Sequence, residues 1–279
     1  MANGRRSGGR ESSTPPGTPR NPSRNIPAPA ERRRLLTIYG RKAVLEALQD
    51  SSLDCGSLHL ADSNRPAQLL RTIEDLATQR GLDVRHHSRE ALARISRNSR
   101  QDQGVALDVR LQATRELEDY LAQRLDGPQV ILGLDGVTNP QNLGMVIRSA
   151  AAAGIHGMLL PDRGAPALGP LVIKASAGTL FRAPLLRCAN VATAAEQLIA
   201  AGFVLYRFEA GGHRQLFDGQ PLGDRILLML GGETDGLSPA IQALPGESVA
   251  IPMANGVESL NVAVSAALAA YAAMTSLSL

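Results

Sequence analysis

The sequence predicts an α/β protein: a C-terminal unit built on a mostly parallel sheet, with a small α/β module in front of it. Three observations predict this. Short apolar runs at 130–134, 203–208 and 226–230 alternate with segments of helical period, the pattern of buried parallel strands joined by crossover helices. The helical segments close on Gly81, Gly154 and Gly202, a residue that ends helices because it accepts a left-handed backbone. Finally, 279 residues that are 44% apolar suffice for one large or two modest domains, each with its own core.

The elements follow in order. Residues 1–36 are rich in Pro, Gly, Ser and Arg and lack a hydrophobic period, so a disordered basic tail is expected. Eight arginines against Glu11 and Glu31 give this tail +6, leaving −3 for the rest of a chain whose net charge is +3. Such an arm suits a polyanion such as RNA and equally suits a solubilising extension. Residues 37–112 form a binding module. A helix at 41–49 has Val44, Leu45 and Leu48 on one face, and a strand follows at 57–61. A helix at 67–80 turns Leu69, Leu70, Ile73 and Leu76 inward; then come a strand at 82–86, a short helix at 89–95 and a strand at 104–109. Residues 113–128 are a linker carrying a charged helix at 113–125.

The second unit, 129–279, alternates strands at 130–134, 157–160, 181–188, 203–208, 226–230 and 248–252 with helices at 142–153, 171–177, 192–201 and 260–274. Strand–helix alternation places ligand loops at the carboxyl ends of the strands.

Several function classes are disfavoured. Aromatics make up 3% with no Trp, so broad base-stacking platforms are not expected. Cys55 and Cys188 lie far apart, as reduced thiols in a cytoplasmic protein do. His59, His86, His87, His156 and His213 show no ligand spacing, and HExxH, CxxC, GxSxG, GxGxxG and GxxxxGK[ST] are absent, so no metal, redox pair, serine nucleophile or ordinary nucleotide loop is expected. No secretory signal is visible. The uncharged stretch 259–279 is rich in Ala and Ser and reads as a buried or interface helix rather than a membrane span.

Three segments interrupt apolar strand-to-helix junctions with glycine and polar residues: LDGVTNPQNLGMVIRSAAAAG (134–154), LMLGGETDGLSP (228–239) and IPMANGVESLNVAVSAALAAY (251–271). Each is a strand, a loop and a helix start, an arrangement that brings backbone N–H groups close to a ligand. Glu233 also suits a helix N-terminus by its charge, and Ser259 suits a helix cap. Asn261, polar just inside an Ala-rich apolar helix, requires a buried partner, which favours a site role. Lys174 and Ser176 are candidates for the border of an RNA cleft.

Together the three segments resemble, in order and spacing, the signature motifs of the SpoU/TrmH-type methyltransferases of the SPOUT superfamily. IYGRKAVLEAL and DQGVAL resemble the start and end of the L30-like substrate-binding domain that many of them carry, among them the 23S rRNA guanosine-2′-O methylases. Three positions depart from the common pattern: Asn139 stands where Asp is common, Asp102 where His is frequent, and Ala263 where Ser is common.

The resemblance implies S-adenosylmethionine as cofactor, a C-terminal trefoil knot and a homodimer formed through the knotted domain, with no membrane association. It implies catalytic roles for Asn142, Arg148, Glu233, Ser259 and Asn261, and a cofactor site lined by Gly231, Ile251 and Leu260. The expected reaction is methyl transfer to a ribose 2′-OH of RNA, a guanosine of 23S rRNA in particular. A tRNA 2′-O-methyltransferase and a catalytically silent RNA-binding or ribosome-assembly protein are the alternatives.

Overall fold

The computed structural model describes Met1 and residues 34–277, so the expected basic tail lies outside the described residues except for Met1 and its last three. The first unit consists of β1 (Leu35–Tyr39), α1 (Arg41–Gln49), β2 (Cys55–Ala61), α2 (Gln68–Gln79), β3 (Val84–His87), α3 (Arg89–Ser96) and β4 (Val105–Arg110). Its sheet runs β1-β4-β2-β3, with β3 parallel to β2 and the other neighbours antiparallel. The periodicity that predicts α2 holds: Leu70, Ile73 and Ala77 are buried, while Leu69 and Leu76 pack partly buried against the same core. Asp102 is almost fully buried. Its carboxylate accepts from Ser96 Oγ at 3.1 Å and from Gly104 N at 3.0 Å, fastening α3 to the turn into β4.

Strand pairing assembles a chain of polar groups that periodicity could not reveal. Thr37 Oγ1 donates to Asp108 at 2.6 Å, Asp108 lies 3.0 Å from His59 Nε2, and His59 Nδ1 lies 2.9 Å from His87 Nε2. The carboxylate can only accept, so His59 carries its proton on Nε2 and takes one from His87 at Nδ1. Burial holds the His87 pKa below its ordinary 6.5, with His59 adding to the effect. Burial also pushes Asp108 up, but the hydrogen bonds from His59 and Thr37 outweigh it and its carboxyl lies below the ordinary range. Both depressed values mean stability present at neutral pH and lost on acidification, first as pH falls below 6.5 through the folded value for His87. A Tm measured from pH 7.5 to 5 is expected to fall, and His87→Gln to flatten that fall; an unchanged slope in the variant would remove His87 as its cause.

The second unit comprises β5 (Arg115–Glu116), α4 (Leu117–Leu121), β6 (Gln129–Asp135), α5 (Pro140–Ala153), β7 (Gly157–Pro161), α6 (Pro170–Ala175), β8 (Leu185–Cys188), α7 (Val191–Ala200), β9 (Val204–Phe208), β10 (Arg214–Gln215), β11 (Arg225–Gly231), α8 (Pro239–Gln242), β12 (Glu247–Ala250) and α9 (Val262–Ser276). Eight strands in the order β10-β12-β9-β11-β6-β7-β8-β5 make one sheet. Every neighbouring pair is parallel. Residues 130–132 and 226–229 are fully buried, as strands covered on both faces require.

Three sequence expectations are corrected. The charged linker helix at 113–125 is not formed: Arg115 and Glu116 pair with Leu186 and Arg187 at the sheet edge, and only Leu117–Leu121 is helical, anchored by buried Leu117 and Tyr120. The strand expected at 181–188 is shortened to Leu185–Cys188 because Pro184 has no N–H for the ladder and residues 179–181 form a 3₁₀ turn. The last helix starts at Val262, two residues later than expected, because Asn261 caps it.

Both cysteines are free and buried, and burial pushes the Cys188 thiol up to about 12. No helix among the described residues is long and apolar enough to cross a membrane.

Candidate active site

β6 and β11 lie side by side although four strands separate them along the chain, so the loops at their carboxyl ends face each other. Crevices form where the order of an open parallel sheet reverses in this way. The β11 loop is tight: Gly232 and Gly236 exchange two backbone hydrogen bonds of 3.1 Å, and Glu233, Thr234 and Asp235 project between them. Glycine is required at its base, where a Cβ on Gly231 would stand 2.1 Å from the Gly236 carbonyl carbon. One on Gly232 would stand 2.6 Å from the carbonyl oxygen of Gly136. The β6 loop turns at Gly136, whose φ is +70°. It enters α5 through Asn139, whose side chain accepts from Gln141 N at 2.8 Å, with Pro140 in the first turn. Asn thus caps here as the more common Asp would.

The three motifs meet through side chains. Asn142, buried in the first turn of α5, donates to Glu233 Oε1 at 2.6 Å. Asn261 Nδ2 donates to Asn142 Oδ1 at 3.1 Å and to Glu233 Oε1 at 3.2 Å, while its own Oδ1 caps α9 by accepting from Ala263 N at 2.9 Å. One carboxylate oxygen therefore holds two amides that lie 119 residues apart.

This network revises three readings. Asn261 is an exposed cap rather than a residue inside the helix, although the partner it requires is present. Glu233 belongs to the Gly232–Gly236 loop and not to a helix start, since α8 begins only at Pro239. Ser259 is exposed and does not cap α9.

A cleft of about 710 Å³ opens beside the network. All three expected cofactor residues, Gly231, Ile251 and Leu260, line it, as do Glu233 and Ser259. A smaller cleft of about 190 Å³ lies between the β6 and β11 loops and is lined by Asn142 and Glu233 among others. Arg148 lines neither. It is exposed on α5, six residues or about 9 Å along the axis from Asn142, and makes no hydrogen bond or ion pair among the described residues. Lys174 is exposed, whereas Ser176 is wholly buried, donating to Ile173 O and accepting from Leu180 N, so Ser176 borders no cleft.

Sequence reasoning missed the bracing between motifs. Asp135 Oδ2 accepts from Ser238 N at 2.7 Å, tying the end of β6 to the segment leaving the β11 loop. Its position inside the first motif was the available signal. The acidic lining was missed as well. Glu209, Glu233, Asp235 and Glu258 border the larger cleft, and among the described residues no Lys, Arg or His does. Among the described residues no group of three or more His, Cys, Asp or Glu could hold a metal ion.

Comparisons with known proteins agree with this geometry. Residues 129–271 match the model of the SpoU rRNA Methylase family, and residues 37–114 match that described as RNA 2′-O ribose methyltransferase substrate binding. A protein of Mycobacterium ulcerans named an uncharacterized tRNA/rRNA methyltransferase is 32% identical over 231 residues, covering 82% of this chain and 74% of that protein. Among solved structures, the AdoMet-bound rRNA methyltransferase from Sinorhizobium meliloti shares the fold at a TM-score of 0.61 and 24% identity, covering 87% of each chain. The SpoU methyltransferase AviRb from Streptomyces viridochromogenes aligns at a TM-score of 0.60 and 25% identity over 88% of this chain and 90% of that one. With three motif loops gathered on one hydrogen-bonded network and the family model spanning just over half of its length, the chain belongs to the SpoU rRNA methylase family.

Proposed function

We propose that the protein transfers a methyl group from S-adenosylmethionine to a ribose 2′-OH of RNA, at a guanosine of 23S rRNA, in the cytoplasm. The observation that carries this reading is the Asn142–Glu233–Asn261 network standing at the junction of two clefts. The larger cleft fits the cofactor: its volume of about 710 Å³ falls in the range of small-molecule sites, and four carboxylates with no basic side chain among the described residues suit a ligand bearing a sulfonium and an ammonium. Gly231 and Gly232 let backbone approach closely, while Ile251 and Leu260 supply apolar walls.

When bound, the cofactor supplies a methyl group already activated towards nucleophiles. The protein's task is alignment and removal of one proton. Asn142 and Asn261 pin Glu233 Oε1 and leave Oε2 without a partner among the described residues, able to accept from a hydroxyl. Ser259, at the rim, orients the incoming sugar. Arg148 clamps phosphate, since an arginine side chain stays protonated and serves poorly as a base.

Residues 37–112 act as the RNA-recognition module, 129–279 as the catalytic domain, and the basic tail adds non-specific attraction to phosphates. The family likeness further supports a trefoil knot at the C-terminus; α9 packs back on α5, β11 and β6 after β12 has paired beyond them with β9. It also supports a homodimer, for which exposed Val264 and Tyr271 on α9 and Met145 on α5 offer an apolar face. Light scattering at micromolar concentration is expected to give twice the chain mass; the mass of one chain would refute the dimer.

The reaction itself is tested by incubating the protein and S-adenosylmethionine with unmodified total RNA and mapping 2′-O-methyl marks. One new mark on 23S rRNA, abolished by Arg148→Ala, is expected. A mark on tRNA would change the substrate, and no mark would favour a silent RNA-binding protein.

A further inference from the structure

We infer that Ser52 and Arg182 are positioning residues for the RNA: they close a polar seam that holds the 37–112 module in one orientation on the catalytic unit. The inference rests on the function proposed above and concerns how the substrate of that reaction is presented. Methyl transfer demands close alignment of the acceptor with the methyl group. A module that grips RNA away from the cleft contributes to that alignment only when its own orientation is fixed.

The seam is a small ring of hydrogen bonds. Gln112 N donates across it to Phe181 O at 2.9 Å, and Arg182 Nη1 donates back to Ser52 Oγ at 3.0 Å. Gln112 Nε2 donates to Ser52 O at 3.0 Å, which ties together the two points of the module that touch the catalytic unit. The turn that carries Ser52, between α1 and β2, is itself pinned: Arg80 donates to Leu48 O and to Asp50 O, each at 3.0 Å. Ser52 Oγ gives its proton to Asp50 Oδ1 at 2.6 Å, and Ser52 N donates to the same oxygen at 2.9 Å. Having only one proton, the hydroxyl meets Arg182 as an acceptor and bridges a carboxylate to a guanidinium. The Ser52 hydrogen bonds hold the Asp50 carboxyl below its ordinary range, and the Arg182 charge acts in the same direction. One continuous apolar core includes Leu53 and Leu111 of the module together with Leu180 and Phe181 of the catalytic unit. Asp50, Ser52, Gln112 and Arg182 are exposed, so the ring is solvated and each bond contributes modestly. A single substitution is therefore enough to loosen the seam without unfolding either unit.

The amide of Gln112 reports on the seam directly, because its N–H is released when the units separate. Ser52→Ala and Arg182→Ala are each expected to speed its hydrogen exchange roughly threefold to tenfold. The double variant should exchange no faster than either single one, since all three lack the same bond. With RNA, each variant is expected to raise KM roughly threefold to tenfold, as the competent orientation becomes less populated, while kcat and S-adenosylmethionine affinity stay within about twofold of the parent protein. Additive effects in the double variant would show that Ser52 and Arg182 act separately. A raised KM in Arg182→Ala alone, with the slope of RNA affinity against salt reduced by about one, would make Arg182 a phosphate contact instead. Faster amide exchange with unchanged KM would leave the seam a purely structural joint. Each of these three results overturns the inference. If the unaltered protein methylates no RNA, the proposed function fails first, and the inference falls with it whatever the Gln112 amide shows.

Discussion

Asn261→Ala is expected to lower kcat/KM by on the order of 100-fold, the usual cost of removing one preorganised polar group beside a reacting centre. Asn261 has two tasks. Its Oδ1 caps α9 by accepting from Ala263 N, and its amide bridges Asn142 and Glu233. The alanine variant loses both, with about 1 kcal/mol of stability going with the cap. Asn261→Ser separates them, because serine caps well but has no amide to span the gap. The serine variant should therefore recover the Tm of the parent protein without recovering activity. If serine restores activity together with Tm, the residue acts only as a helix cap and the network does not govern the reaction.

Gly231→Ala is expected to weaken cofactor binding roughly 10- to 100-fold, the equivalent of an overpacking cost of about 1–3 kcal/mol. The cause is steric: the added methyl would meet Gly236 C at 2.1 Å, Gly236 O at 2.4 Å and Leu237 N at 2.4 Å. All three are backbone atoms, so the Gly232–Gly236 loop must shift as a unit and take Glu233 with it. Gly164→Ala is a useful contrast, because a methyl there meets nothing within 4 Å although the backbone φ of +90° is strained. Calorimetry with S-adenosylmethionine distinguishes the two. Comparable losses in both variants would point to general destabilisation rather than to displacement of this loop.

Much of this was legible in the sequence because strand and helix signals are local. The glycine-closed helices and the apolar runs of β6, β9 and β11 lie where periodicity puts them, within a few residues. The three motif loops could be named because each concentrates glycine and polar residues at a strand end. Their convergence was not readable from composition: nothing in β11 says that it inserts between β9 and β6, since parallel pairs are joined by long crossovers that leave no record of register. The roles of single side chains were harder still. Asn261 and Ser259 differ by two positions, and only the observed start of α9 shows which one caps it. The charged segment at 113–125 carries a helical pattern, yet tertiary pairing at the edge of β8 claims its first residues. The His59–His87–Asp108 chain depends on β2 pairing with β3 on one side and β4 on the other, a fact of topology.

The most direct test of the central claim is titration of S-adenosylmethionine into the full chain by calorimetry. Saturable binding at one cofactor per chain, weakened by Gly231→Ala and less affected by Gly164→Ala, is the result this account predicts. Failure of the unaltered protein to bind the cofactor would contradict it and remove the enzymatic reading of the cleft.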